Sequence, residues 1–317
     1  MVKTGTYYEE LPIVVPANTA LNGDELRGVV VRPKLVIDRL VTRTTTGTNV
    51  LTVASTEDMT TGMRVQFDST NSVNGINTVF GGLERGRDYY IVGTISPTQF
   101  SVSLTPNGAP ATLSNFVGNM YVYGGDALKD MFYCQNGTGI RNMTLTGLLG
   151  TLTAENEFLT RRPTGGAYVS LDPGVSPDDT SAWIYRRSPY IQNVSTFGQG
   201  ATGLKIDGTL HNGGNKSIVC NDFTQIISDG IGIWTTGPDS LCEAVSVFSY
   251  YAYAGYFAED GGRIRATNGN SSYGTFGIIA EGFDANETPS TGAINNRYYE
   301  ATATPFSSLG ALSLIHI

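Results

Sequence analysis

The chain has 317 residues, of which 40 % are hydrophobic and only 15 % charged, against about 25 % charged in an average globular domain. Its net charge of −8 lacks the basic face that nucleic-acid binding needs, no apolar run approaches the ~18 residues of a membrane span, and no signal peptide opens the chain. Glycine is abundant at 39 residues, with 17 tyrosines and many Thr, Asn and Ser, a profile that excludes a mainly helical protein and predicts an all-β fold.

In chain order, residues 11–16 read as a short strand, Asn22-Gly23-Asp24 as a tight turn and residues 28–33 as a second strand. Residues 36–124 break away from this pattern. Alternating runs at 50–53, 63–67, 88–92 and 99–104, separated by turn signals at Asn74-Gly75, Ser96-Pro97 and Pro106-Asn107-Gly108, predict a small all-β domain inserted into the chain, expected as a small β-barrel. Residues 150–188 read as a long loop lying across one face, partly strand at 167–171.

A repeat organises residues 190–283. Segments 191–195, 218–222, 242–247 and 264–268 each lead to a glycine-headed strand, at Gly203, Gly230, Gly255 and Gly277, in steps of 27, 25 and 22 residues. Units this short, rich in β-formers and free of a 3.6-residue period, predict the coils of a right-handed parallel β-helix, in which each strand pairs with the next coil about 4.8 Å away. A β-sandwich with recurring strands is the alternative; a propeller needs longer, four-stranded units. The expected organisation is thus 1–35 as first coil, 36–124 as insert, and 125–311 as the β-helix.

Residues Leu312-Ser313-Leu314-Ile315-His316-Ile317 resemble the translation of a transposase sequencing adapter, which implies an artefact at 312–317 and a reading frame truncated in a metagenomic fragment. With no polar cap expected at either end, such a fragment would be sticky alone.

Chemistry has few carriers. His211 is the one histidine before that tail, so a multi-histidine metal site is excluded by count, and nothing near it resembles a nucleophile elbow. Cys134, Cys220 and Cys242 fit neither a zinc pattern nor a disulfide framework and are expected as reduced thiols of a protein made in a cytoplasm. The carboxylates are the catalytic candidates. Four positions beyond the repeat glycines stand Asp207, Trp234, Glu259 and Glu281, expected in one column. Two carboxylates one coil apart, near 5 Å, would match a retaining glycosidase or invite Ca²⁺, while the bland reading is an exposed acidic edge. Trp234 and Tyr256 are the candidate ligand-binding rings; aromatic ladders inside the stack would explain the 248–257 run equally well.

Several segments carry a resemblance to a known group. Residues 7–16 with 23–28 resemble the first coil of pectate-lyase-like β-helices in marine tailed-phage structural proteins. Asn136-Gly137-Thr138-Gly139-Ile140-Arg141-Asn142-Met143-Thr144, Ser188-Pro189-Tyr190-Ile191-Gln192-Asn193-Val194, His211-Asn212-Gly213-Gly214-Asn215-Lys216-Ser217 and Gly261-Gly262-Arg263-Ile264-Arg265-Ala266-Thr267-Asn268 resemble tail and baseplate proteins of T4-like marine phages, the cyanophage type. The resemblance implies a rigid virion tail component of a baseplate or fibre, made in the host cytoplasm. Its partners would be other tail proteins, with host attachment through a surface glycan and a homotrimer as further expectations. It supplies no catalytic residue and no cofactor. A glycan-binding module and a tailspike-like polysaccharide depolymerase are the alternatives.

Overall fold

The computed structural model describes residues 1–70, 79–153 and 161–281, with the backbone of 291–292 and 306–307. The Asn74-Gly75 turn and residues 312–317 lie outside the described residues. Helix is confined there to two single 3₁₀ turns, Asp126–Leu128 and Gly208–Leu210.

Four short strands open the chain: Gly5–Glu9 (β1), Ile13–Val15 (β2), Ala20–Asn22 (β3) and Val29–Pro33 (β4). Six more follow, Val36–Thr45 (β5), Val50–Val53 (β6), Arg64–Ser69 (β7), Tyr89–Ser96 (β8), Gln99–Ser103 (β9) and Phe116–Gly125 (β10). They close into an antiparallel barrel in the order β10-β5-β6-β9-β8-β7. Inward residues at every second position fill it, among them Ile37, Val41, Val65, Phe67, Ile91, Phe100 and Val122. Gly125 lies opposite Val36, and the Asp126 amide donates to the Leu35 carbonyl at 2.8 Å. The chain therefore enters and leaves the barrel at one point.

The remaining strands are Phe132–Cys134 (β11), Gly139–Thr146 (β12), Ala167–Leu171 (β13), Tyr190–Gln199 (β14), Thr202–Asp207 (β15), Lys216–Ser228 (β16), Ile231–Thr236 (β17), Ser240–Tyr250 (β18), Ala254–Ala258 (β19), Arg263–Thr267 (β20), Asn270–Ser272 (β21) and Phe276–Ala280 (β22). They build two sheets. One runs β1-β4-β12-β14-β16-β18-β20, with β3 and β21 attached; the other runs β2-β11-β13-β15-β17-β19-β22. All pairs in both sheets are parallel. From β11 to β20 the chain alternates between the sheets, so each strand pairs with its counterpart one circuit later; β21 stays in the first sheet with β20, and β22 returns to the second. One hydrophobic core fills the space between them, with Leu204, Ile206 and Ile233 facing Ile191, Val194, Ile218 and Phe223.

The long strands of the first sheet carry a left-handed residue at their middle: Asn142, Asn193, Asp222, Ser246 and, one residue past β20, Asn268, with φ between 50° and 56°. One extra residue there resets the alternation. In β16 the inward side chains are Ile218 and Cys220 before the bend, then Phe223, Gln225 and Ile227 after it. Asn and Asp suit this conformation because a short polar side chain compensates it locally. They also bond along the column: Asn142 Nδ2 donates to Asn22 Oδ1 at 2.9 Å, and Asn193 Nδ2 to Asn142 Oδ1 at 2.8 Å.

The repeat glycines need one correction. Register pairs Thr202 with Ile231, Ile231 with Ala254, and Ala254 with Phe276, so the glycine in line with Gly203, Gly255 and Gly277 is Gly232, not Gly230. A Cβ on Gly232 would collide with Ser249 Oγ and the Gly255 carbonyl, which explains why that position has no side chain. A second correction concerns 150–188. The strand expected within it at 167–171 is present as β13, but it is no part of an excursion: it is a full member of the second sheet, between β11 and β15. All three cysteines are buried and unbridged, with Cys220 Sγ and Cys242 Sγ 3.8 Å apart.

Candidate functional site

The outer face of the second sheet carries one continuous column. Register aligns Val14, Tyr133, Ser170, Lys205, Trp234, Phe257 and Ile279 across seven strands. Trp234 and Phe257 stack with centroids 5.9 Å apart and planes 5° from parallel. The Lys205 ammonium lies 4.5 Å from the centre of the Trp234 ring, a cation–π contact. Arg162, from the strap that precedes β13, lies over Phe257 at 5.2 Å.

The acidic column stands beside this one. Asp207 pairs with Thr236, and continuing the register one residue past β19 and β22 brings Glu259 and Glu281 into line with them. Thr236, rather than Trp234, thus occupies the second place. Arg162 bridges the two glutamates. Its Nη2 bonds Glu259 Oε2 and lies 2.6 Å from Glu281 Oε2, and its Nε donates to Glu259 Oε2 at 3.1 Å. Trp234 Nε1 donates to the other oxygen, Glu259 Oε1, at 2.8 Å. Asp207 is committed elsewhere: its Oδ1 accepts from the amide of Thr209 at 3.0 Å and its hydroxyl at 2.6 Å.

Burial sets the charges. It raises the pKa of Glu281 above the ordinary carboxylate value, against the lowering effect of Arg162, and it raises that of Asp260 as well. Burial opposes the Arg162 charge too, but hydrogen bonds and charge attraction from Glu259 and Glu281 outweigh it and hold its pKa above the usual value. Glu259 is 4 % exposed. A glycosidase pair needs one carboxylate free to attack or activate water and the other free to donate a proton. Here a guanidinium fills the space between the two, so the arrangement is a clamp of strap onto sheet. Among the described residues no group of three or more His, Cys, Asp and Glu is placed to hold a metal ion, and the cation bonded to both Glu259 and Glu281 is Arg162.

The two candidate rings differ in placement. Trp234 is 8 % exposed, with Lys205 and Phe257 against its ring. Tyr256, expected at a ligand surface, faces the interior instead: its hydroxyl donates to the Val247 carbonyl at 2.9 Å, and it belongs to the core between the sheets. Exposed tyrosines occur at another edge, where Tyr251 and Tyr273 stack at 5.7 Å. His211 is buried in the turn after the second 3₁₀ element, with neither ring nitrogen hydrogen-bonded.

A cleft of about 430 Å³ opens where the barrel meets the outer column. Arg64 of β7, Lys129, Tyr133, Lys205 and Trp234 line it, together with residues 163–166 of the strap. Burial, then the charges of Asp130 and Asp172, push the Tyr133 phenol up to about 12, so it is protonated and can donate. The sequence reading missed Arg162 and Lys205 as site residues. Their signal was only that cations are scarce, at 20 Lys and Arg in 317 residues.

No protein-family model matches the chain, and no curated protein sequence matches it. Several solved structures do. They include the tailspike gp61 of Pseudomonas phage phi297, at 11 % identity over 89 % of this chain and 66 % of that one, with a TM-score of 0.19. The tailspike gp49 of Pseudomonas phage LKA1 matches at 11 % over 88 % and 68 %, TM-score 0.21. The gp54 tailspike of Acinetobacter baumannii bacteriophage AP22, solved with a capsular saccharide, matches at 9 % over 88 % and 63 %, TM-score 0.20. The chain spans about two thirds of the length of these tailspikes. TM-scores of this size establish no shared site geometry, so the functional reading rests on the residues themselves.

Proposed function

We propose that the chain is a structural component of a bacteriophage tail, in a baseplate or fibre, built as a right-handed parallel β-helix over the described residues of 1–35 and 125–281 with a small barrel inserted at 36–124. It acts as a rigid scaffold in host attachment and holds a surface glycan rather than cutting it. The observation that carries this reading is the Arg162 bridge: Glu259 and Glu281, the carboxylates expected as a glycosidase pair, are spent on fixing the strap. Two parallel sheets sharing a continuous core supply the rigidity. The virion assignment draws on the resemblance of residues 136–144, 188–194 and 261–268 to phage tail proteins.

The test is immunogold labelling of tailed phages from a marine viral concentrate in which the coding sequence has been amplified. Gold on tails is the expected result; gold on capsids alone, or on no tailed particle, overturns the assignment. A polysaccharide depolymerase is the second reading, favoured by the raised Glu281 carboxyl beside Glu259. It requires release of reducing ends that depends on Glu259 and Glu281.

A further inference from the structure

The cleft between barrel and second sheet concentrates cations in a chain that is otherwise acidic. Arg64, Lys129 and Lys205 line it from three separate segments, 128–130, β7 and β15, while the whole chain carries −8. Each cation has an acidic neighbour: Asp88 at 3.4 Å from Arg64, Asp126 at 2.8 Å from Lys129 and Asp207 at 3.8 Å from Lys205. None of those three acids is part of the cleft lining. An ammonium has three donors and a guanidinium five, so donors remain for an occupant.

The one acid in the lining is Asp130, and both its oxygens are engaged. Oδ1 accepts from the Ala167 amide at 2.6 Å and Oδ2 from the Ser170 hydroxyl at 3.0 Å. It therefore orders the wall. Tyr133 and Trp234 in the lining add a phenol and an aromatic side chain. The volume falls within the range of small-ligand sites, about 300–1,000 Å³. Three cations, a phenol and an aromatic side chain suit an occupant with a carboxylate, several hydroxyls and an apolar ring face.

We propose that this cleft is a binding site for a carboxylate-bearing sugar unit, with Lys205 and Lys129 pairing its carboxylate and Arg64 and Tyr133 its hydroxyls. The proposal rests on the glycan-holding half of the function above and names the chemical class of that glycan.

The experiment is calorimetric titration of the whole chain with short oligomers of galacturonate, mannuronate and sialic acid. A carboxyl-reduced form of whichever oligomer binds, and neutral maltotriose, serve as controls. The result expected is saturable one-to-one binding of at least one acidic oligomer. Carboxyl reduction, and the Lys129→Met/Lys205→Met double variant, should each weaken it at least about tenfold, equivalent to about 1.4 kcal/mol. Lys34→Met, at an exposed lysine outside the cleft lining, should leave it unchanged. Because Lys205 contacts Trp234, circular dichroism checks the double variant, and Lys129→Met alone provides a second arm. No binding of any acidic oligomer at millimolar concentration overturns the proposal, as does binding unaffected by both lysine variants. Binding of the reduced and acidic forms alike also overturns it. Tail labelling is independent of this titration, so the scaffold reading can stand when the cleft fails, and the reverse.

Discussion

Arg162 and Glu259, 97 residues apart in sequence, are joined by two guanidinium nitrogens, and the same arginine reaches Glu281. The bond ties the strap before β13 to the ends of β19 and β22. Removing the arginine leaves a 4 %-exposed carboxylate without its counter-charge. Arg162→Met should cost about 3 kcal/mol in urea unfolding, the order seen when one member of a buried pair is deleted. Adding Glu259→Gln should recover part of that loss, with a coupling of about 1–3 kcal/mol. Additive single and double variants would show that the clamp is not holding the strap.

The left-handed column makes a prediction of both signs. Asn193, at φ 51°, bonds Asn142; Asn193→Ala loses that bond and places a less suited residue in the left-handed region, at a cost of about 1–2 kcal/mol. Ser246 occupies the same column at φ 51° without the amide. Ser246→Asn should raise the melting temperature, by the equivalent of about 0.5 kcal/mol. If Ser246→Asn melted lower than the parent, the column would not be selecting for the left-handed conformation.

His211 predicts a pH dependence. Burial is the main cause that lowers its pKa below 6.5, opposed by the charges of Asp172, Asp179 and Asp207 and assisted by Lys216. For a base held neutral in the fold, the unfolded chain takes up a proton first, so stability is lost as pH falls from 6.5 toward the depressed value. The difference in urea midpoint between about pH 7.5 and about pH 5.5 should therefore be larger in the parent than in His211→Leu. The carboxylates of buried Asp68 and partly buried Glu281, with raised pKa values, act in the opposite direction but are common to both proteins. Equal shifts in parent and variant would mean that His211 titrates as it does in water.

Gly232 sits where a methyl group would meet Ser249 Oγ and the Gly255 carbonyl. Gly232→Ala should destabilise by about 1–3 kcal/mol through overpacking, read as a lower denaturation midpoint with an unchanged slope. An unaffected midpoint would place the glycine column elsewhere.

The stack was legible in the sequence because its inward residues and turn residues recur on a common unit. Its register was not. Gly230 and Gly232 flank Ile231, and a two-residue slip is one full side-chain period, so it keeps the face and only shifts the column. That slip moved Trp234 into the acidic line that Thr236 occupies. Tyr256 was misplaced for a related reason: alternation within β19 does not tell which parity faces the core until Val247 is across from it. Glu259 and Glu281 were legible as neighbours, since each follows its strand by one residue. Arg162 was not, because nothing local links a strap residue to a sheet that the chain builds about a hundred residues later. The same long range hides the cleft, whose walls come from β7, the turn after β10, and β15.

The proposed role of Glu259 and Glu281 is to hold the fold together, not to cut glycans. It is tested most directly by measuring unfolding free energy and reducing-end release from bacterial surface polysaccharides on the same preparations of parent and Glu259→Gln. The account predicts no reducing ends from the parent and a clear loss of stability in the variant. Reducing ends released by the parent and abolished in a Glu259→Gln chain of unchanged stability would contradict it.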